Sequence, residues 1–316
     1  MVCERNNGDY KNMVLMGVGI IILLFICLII ISIRLRKTQQ QHKSFRLGKK
    51  HKETVVLPER REQIEKAVLW ALDEKKFEVY YQPVFSKFDE LKAAEALVRL
   101  YDAELGEILP EEFIPIAVEM GKMNEIGRLV FEQVAHFIHH NDMEKLGLKY
   151  VEINLSLPEC IEPELPQKLL SVLEEYEVPK GMINLQISEE ILAGMHADLL
   201  HNMHAMNEEG VNFSLDDYGS SSVTLAYIMT LPFQFVKIDK SVLWAALKNK
   251  SAMEAFKASI NTLKDFSIKI VVEGVETKEM ADHLKRLGCD YLQGFYYARP
   301  LSAKDFKDFC LTMDKA

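Results

Sequence analysis

The chain has 316 residues, 48% of them hydrophobic and 27% charged, with a formal net charge of −9 at pH 7. That leaves room for one large or two small domains around a sizeable core. It argues against a nucleic-acid polymer as ligand, which needs clustered cations to displace counterions. The five cysteines (Cys3, Cys27, Cys160, Cys289, Cys310) are scattered, fit a reducing compartment, and offer neither a disulfide framework nor a zinc site.

Residues 1–12 read as a short extracytoplasmic segment, expected to be too small for a folded sensor. Residues 13–33 (MVLMGVGIIILLFICLIIISI) carry no charge and are long enough to cross a hydrocarbon core of roughly 30 Å as one helix. No small-residue cleavage site follows, so the expectation is an anchor that stays. Arg34, Arg36, Lys37, Lys43, Arg46, Lys49, Lys50 and Lys52 lie on its C-terminal side, against Arg5 and Lys11 on the other. The positive-inside rule then gives a single-pass cell-membrane protein with its N-terminus outside and its C-terminal domain cytoplasmic. Residues 34–57 read as a basic juxtamembrane linker drawn to the anionic headgroups of the lipid bilayer. Dimerisation through the anchor or a domain face stays open; Gly17 and Gly19 lack the four-residue spacing of a helix-packing motif.

From residue 58 to 316, strand and helix patterns alternate. An amphipathic helix over 62–72 puts Ile64, Val68, Leu69 and Leu72 on one face. Strands over 77–85 and 91–100 follow, joined by a turn at 86–90. Helices over 110–121 and 124–140 lead to a strand at 149–155, a helix at 163–176 and a strand at 182–188. The pattern continues with helix 196–209, strand 211–215, helix 223–229, strand 234–238, helix 252–266 and strand 268–272. Helix 278–287, strand 291–292 and helix 303–311 complete it. Apolar strands alternating with helices imply parallel pairing, and about eight units suit a TIM-like (β/α)8 barrel following one transmembrane helix. An open doubly wound sheet is the alternative, but no glycine-rich phosphate loop supports it.

Polar residues fall at the C-terminal ends of these strands: Glu95, Asn154, Gln186 with Glu189, Asp216–Asp217, Lys237, Glu273 with Glu276, and Gln293. In a barrel those ends share one mouth, where barrel enzymes place their chemistry. Each has a plainer reading alone: Asp217 as a helix N-cap, Asn154 as a turn residue, 237–239 as a solvated strand end. In phase with seven strands they point to one site. Carboxylates gathered there need neutralising by cations, by Lys237 or by protons. The oxygen-rich donor set, without histidine or cysteine, favours Mg2+ or Mn2+ over zinc.

The motifs YYQPV (80–84), EALVRL (95–100), PEEFIPIA (110–117), INLS (153–156), LQISE (185–189), LDDYG (215–219), LPFQFVKID (231–239), VVEGVET (271–277) and GCDYLQGFYYARPL (288–301) occur in order. Together they resemble the EAL domain family of cyclic di-GMP phosphodiesterases, from about residue 62 to 301. The resemblance implies a two-metal site that opens one phosphodiester bond of cyclic di-GMP to release pGpG. It places Glu95, Asn154, Gln186 and Asp216 around a first metal, and Asp216 and Asp217 around a second. By the same resemblance, Lys237 and Glu273 orient or deprotonate the attacking water. Gln82, Leu97, Arg99 and Gln293 contact the dinucleotide. Glu189 steadies the loop after the double aspartate, and Glu276 is a supporting acid.

Two departures touch the same function. The family reads Leu-Glu-Ile-Thr-Glu where this chain has Gln186, so one ligand charge is missing and metal binding is expected to weaken. Restoring glutamate at 186 is accordingly expected to raise turnover or lower the metal requirement. The loop over 219–224 reads GSSSVT where the family has GTGYSS, losing a glycine's backbone freedom. The chain is thus expected to be an active phosphodiesterase or, alternatively, a cyclic di-GMP receptor or protein-interaction scaffold without turnover.

Overall fold

The computed structural model describes residues 57–194, 196–219 and 228–313. The readings for 1–12, 13–33 and nearly all of 34–57 lie outside the described residues, as do most of the helix over 223–229 and most of the loop over 219–224. Among the described residues, no helix is long and apolar enough to cross a membrane.

Helix α1 (Pro58–Asp73) begins on a proline, whose fixed φ suits a first helical turn, and buries Ile64, Ala67, Val68 and Ala71. β1 (Glu78–Ser86) turns back into β2 (Leu91–Asp102), which pairs at its end with the short β3 (Gly106–Ile108). Helices α2 (Pro110–Glu119) and α3 (Met123–His139) follow. Arg60 of α1 donates to both carboxylate oxygens of Glu112 in α2, at 2.7 and 3.0 Å. Next come β4 (Tyr150–Asn154), α4 (Leu157–Cys160), α5 (Leu165–Glu175) and β5 (Ile183–Ser188). After β5 come α6 (Glu189–Ala193), α7 (Ala197–Glu208) and β6 (Asn212–Tyr218). β7 (Phe233–Ile238), α8 (Lys240–Lys248), α9 (Lys250–Asp265) and β8 (Lys269–Val272) are succeeded by α10 (Lys278–Leu287), β9 (Tyr291–Leu292), β10 (Leu301–Ser302) and α11 (Ala303–Met313).

The strands close a barrel in the order β1-β9-β8-β7-β6-β5-β4-β2, with β1 also paired to β2. β2 and β4 through β9 run parallel, as their apolar patterns imply. β1 does not: it is antiparallel to both β2 and β9. The reason is local, since a turn of a few residues joins only antiparallel neighbours. A further difference lies between β7 and α9, where α8 was not expected. Asp239 starts α8 by accepting from Ser241 N (2.9 Å), and Asn249 ends it while capping α9 through Ser251 N and Ala252 N.

The main core fills the space between the sheet and the helices, with Phe77, Tyr81, Phe113, Phe131, Phe213, Phe256 and Phe306 among its largest members. A second apolar cluster, Val84, Ala93, Tyr150, Phe235 and Val271 with Tyr291 against it, forms a separate layer. All six come from barrel strands, at positions two residues from the polar residues of the next layer.

Candidate active site

Strand periodicity builds the site. Side chains two residues apart share a face, so the strands that carry the apolar layer also carry a polar layer one step nearer the mouth. Ala93 is followed by Glu95, Tyr150 by Glu152, Phe235 by Lys237, Val271 by Glu273 and Tyr291 by Gln293. On the reversed strand β1 the step runs backward, from Val84 to Gln82.

Lys237 is the hub. Its side chain is wholly buried, and its Nζ lies 2.8 Å from Glu273 Oε1, 3.0 Å from Glu95 Oε2, 3.6 Å from Glu152 Oε2 and 3.9 Å from Asp216 Oδ1. Burial alone would favour the neutral amine. Asp216, Glu273, Glu95 and Glu152 outweigh it and hold the ammonium charged, well above its ordinary range. Glu95 also accepts from Asn154 Nδ2 (2.9 Å) and Gln293 Nε2 (2.7 Å). Against a burial that would raise its pKa, Lys237 and these donors keep Glu95 below the usual carboxylate range. The other acids have too little compensation. Burial pushes Glu152 and Asp216 up to about 7 and Glu273 to about 8, with Lys237 only partly opposing it.

Asp216 ends the inward face of β6, and strict alternation would send Asp217 the other way. Asp217 instead takes a left-handed φ of 56°, a conformation that aspartate tolerates better than most residues. Its amide donates to Asp216 Oδ1 (2.9 Å), and carboxylate oxygens of Asp216, Asp217 and Glu273 lie within 4.8 Å of one another. Glu189, first residue of α6, accepts from Gly219 N (2.9 Å) and so ties the end of β5 to the segment after the two aspartates.

Gln186, on β5, is 1% exposed and donates through Nε2 to Glu152 Oε2 at 2.6 Å. Asn184 Nδ2 donates to Ser214 Oγ (2.6 Å) and lies 3.4 Å from Glu152 Oε1. The carbonyl oxygens of Gln186, Asn184 and Gln293 are buried without a hydrogen-bond partner. Glu152, Asn184 and Ser214 were absent from the sequence-based site. For Glu152 a signal existed: it precedes Asn154 by two residues and therefore shares its face. Glu152 thus brings a carboxylate to hydrogen-bonding distance of Gln186 from the neighbouring strand.

The remaining expected residues are placed as follows. Gln82 accepts from Gln293 Nε2 and donates to Ala298 O, both at 3.2 Å. Leu97 is half-buried on β2, two residues beyond Glu95. Arg99 lies over the Tyr80 ring (5.6 Å to its centroid), donates to Val98 O (2.9 Å) and has Nε 3.6 Å from Glu107. Glu276 is exposed and is not among the acids gathered round Lys237.

The mouth therefore combines oxygen donors, excess negative charge and buried carbonyl oxygens without partners, a donor set suited to hard divalent cations. Residues 62–300 match the family model described as the EAL domain. The chain belongs to the EAL domain family. It is 27% identical over 236 residues to the oxygen sensor protein DosP of Escherichia coli, covering 74% of this chain and 30% of that one. It is 26% identical over 248 residues to the cyclic di-GMP phosphodiesterase NbdA of Pseudomonas aeruginosa, covering 78% and 32%. The chain spans about a third of the length of these curated relatives. Among solved structures, the PaMucR phosphodiesterase in complex with c-di-GMP superposes with a TM-score of 0.72 at 25% identity, over 77% of this chain and 99% of that one.

Proposed function

We propose that this EAL domain is a divalent-cation-dependent phosphodiesterase that hydrolyses cyclic di-GMP to linear pGpG. The observation that carries the reading is the buried Lys237 ringed by Glu95, Glu152, Asp216 and Glu273 at the barrel mouth, with Asp217 beside them. Glu95, Asn154, Gln186 and Asp216 would hold a first Mg2+ or Mn2+, and Asp216 with Asp217 a second. Bound there, such cations would supply charge screening on the phosphodiester and a more acidic water. Lys237, as a donor, would orient the attacking water, and Glu273 would accept its proton. Gln293 and Asn154 fix the Glu95 carboxylate through their hydrogen bonds. Arg99 is suited to a phosphate oxygen once it leaves Glu107, and Gln82 and Leu97 flank the same rim.

Gln186 motivates a second reading, a cyclic di-GMP receptor that does not turn its ligand over. Incubating the full-length chain with cyclic di-GMP and Mg2+ or Mn2+, and following pGpG by chromatography, separates the two. Product formation supports the enzyme, nucleotide binding without product supports the receptor, and neither leaves a scaffold. The localisation belongs to the same proposal: residues 13–33 anchor the protein with the barrel in the cytoplasm. Protease treatment of intact spheroplasts should then leave the barrel uncut, and cleavage would refute that orientation.

A further inference from the structure

Glu152 plays no role in the motif-based reading, yet it is completely buried among the acids of the mouth. A carboxylate in that position destabilises a cation-free barrel, because it shares the Lys237 ammonium with Glu95, Asp216 and Glu273. An apolar side chain of similar volume would carry no such cost.

Its contact with Gln186 shows what it can do. An amide can meet a carboxylate only through its nitrogen, so the 2.6 Å bond from Gln186 Nε2 to Glu152 Oε2 fixes which way the amide faces. The Gln186 oxygen, buried and without a hydrogen-bond partner, is left as a free donor atom in the site. Register supports the arrangement. Asn154 and Gln186 are paired neighbours on β4 and β5, and Glu152 lies two residues below Asn154.

Charge supports it too. Glu95, Glu152, Asp216, Asp217 and Glu273 are five carboxylates set against one ammonium, a formal excess of four negative charges. Two divalent cations carry the same charge with opposite sign. Without Glu152 the excess would be three. A site with glutamate at 186 and a neutral side chain at 152 would reach the same total.

We propose that Glu152 stands in for the carboxylate absent at position 186: it is a positioning residue that aims the Gln186 amide oxygen at the cation and returns the missing charge from the neighbouring strand. This rests on the cation-dependent reading above. It also reverses the expectation for Gln186→Glu, because that change alone brings two carboxylates to hydrogen-bonding distance.

The test is a carboxylate relocation series in the full-length chain: wild type, Glu152→Gln, Gln186→Glu and the double variant Glu152→Gln/Gln186→Glu. Mn2+ alone is the probe, its binding read from loss of the free-ion electron paramagnetic resonance signal. Circular dichroism monitors folding, and the Mn2+ dependence of pGpG formation is a second readout. Changing the partner that orients a ligand typically lowers metal affinity about 10- to 100-fold. Glu152→Gln should therefore bind Mn2+ at least about tenfold more weakly than wild type, Gln186→Glu should bind no more tightly, and the double variant should return to within about threefold.

A Glu152→Gln variant with wild-type affinity overturns the assignment while leaving the phosphodiesterase intact. So does a folded double variant as weak as Glu152→Gln, since relocation would then not rescue. A wild type that binds no Mn2+ overturns the underlying reading as well. If Glu152→Gln does not fold, the double variant decides by the same threefold and tenfold limits.

Discussion

Replacing Lys237 by methionine keeps the length of the side chain and removes its charge. Four carboxylate oxygens lie 2.8 to 3.9 Å from Nζ, and the lysine side chain is wholly buried. Breaking a buried ion pair by deleting one partner costs about 3–5 kcal/mol. Each kcal/mol lowers Tm by about 2–4 °C in a domain of this size, so the expected loss is on the order of 10 °C. The loss depends on pH in a definite direction. A carboxyl group whose folded pKa is raised above its unfolded value favours the folded state when protonated. That stability is complete below the unfolded pKa and disappears as pH rises through the folded one. Glu152 and Asp216 already sit at about 7 and Glu273 at about 8 with Lys237 present. Without the lysine all three move higher. Calorimetry in a chelator should therefore show the full Tm deficit at pH 8.5 and a much smaller one at pH 5.5. Equal deficits at both pH values, or none, would refute Lys237 as the charge balancing the mouth. Turnover in Mg2+ should fall about 10²- to 10⁴-fold.

Glu159 is buried beside α3 and accepts from Ser156 Oγ and from Ser156 N (2.9 Å), and burial, only partly offset by those bonds, pushes it up to about 7. From an ordinary value of 4.5 that shift is worth about 3 kcal/mol, present in acid and lost as pH rises through 7. Urea unfolding of wild type and Glu159→Gln should show their stability difference moving by that amount between pH 4 and 8, in favour of the variant at high pH; a constant difference would rule it out. At Gly294 an added Cβ would lie 2.1 Å from Val275 O and 2.4 Å from Val275 N, so Gly294→Ala must push the two backbone segments away from each other. It should cost about 1–3 kcal/mol and weaken nucleotide binding by displacing Gln293, which calorimetric titration would detect. Asp217→Asn keeps a residue that accepts a left-handed φ, so its Tm in chelator should stay within about 2 °C of wild type while Mn2+ affinity and turnover fall; a large Tm loss would contradict this. Phe306 is fully buried, with ring centroids 5.4 Å from Tyr81 and 6.2 Å from Phe137. Phe306→Ala should lower unfolding stability by about 3–5 kcal/mol, and a loss under 1 kcal/mol would show that the helix α11 face is not load-sharing with the core.

The barrel was legible because each strand announces itself as a short apolar run and because acids recur at the run ends. Glu95, Asn154, Asp216, Lys237 and Glu273 could be aligned by that phase alone. The reversed strand was half legible. The turn at 86–90 was read, but its consequence for direction was hidden behind the expectation of parallel units. α8 was missed because its start depends on a small cap, Asp239, lying next to a strand already assigned to other duties. Glu152 was missed for a different reason. Its face could be read from Asn154 two residues on, but its partner Gln186 is 34 positions away, and that contact exists only once β4 and β5 pair. The left-handed turn at Asp217 was equally invisible, since alternation alone would have pointed that side chain outward.

The second apolar cluster has a kinetic consequence. Val84, Ala93, Tyr150, Phe235, Val271 and Tyr291 stop the barrel below the acids like a cork, which would leave the open end as the route for ions and water. A dinucleotide lying across that end would cover whatever sits beneath it. On the proposed function, loading would be ordered, cation ahead of nucleotide, and bound nucleotide would slow the escape of the cations into a chelator.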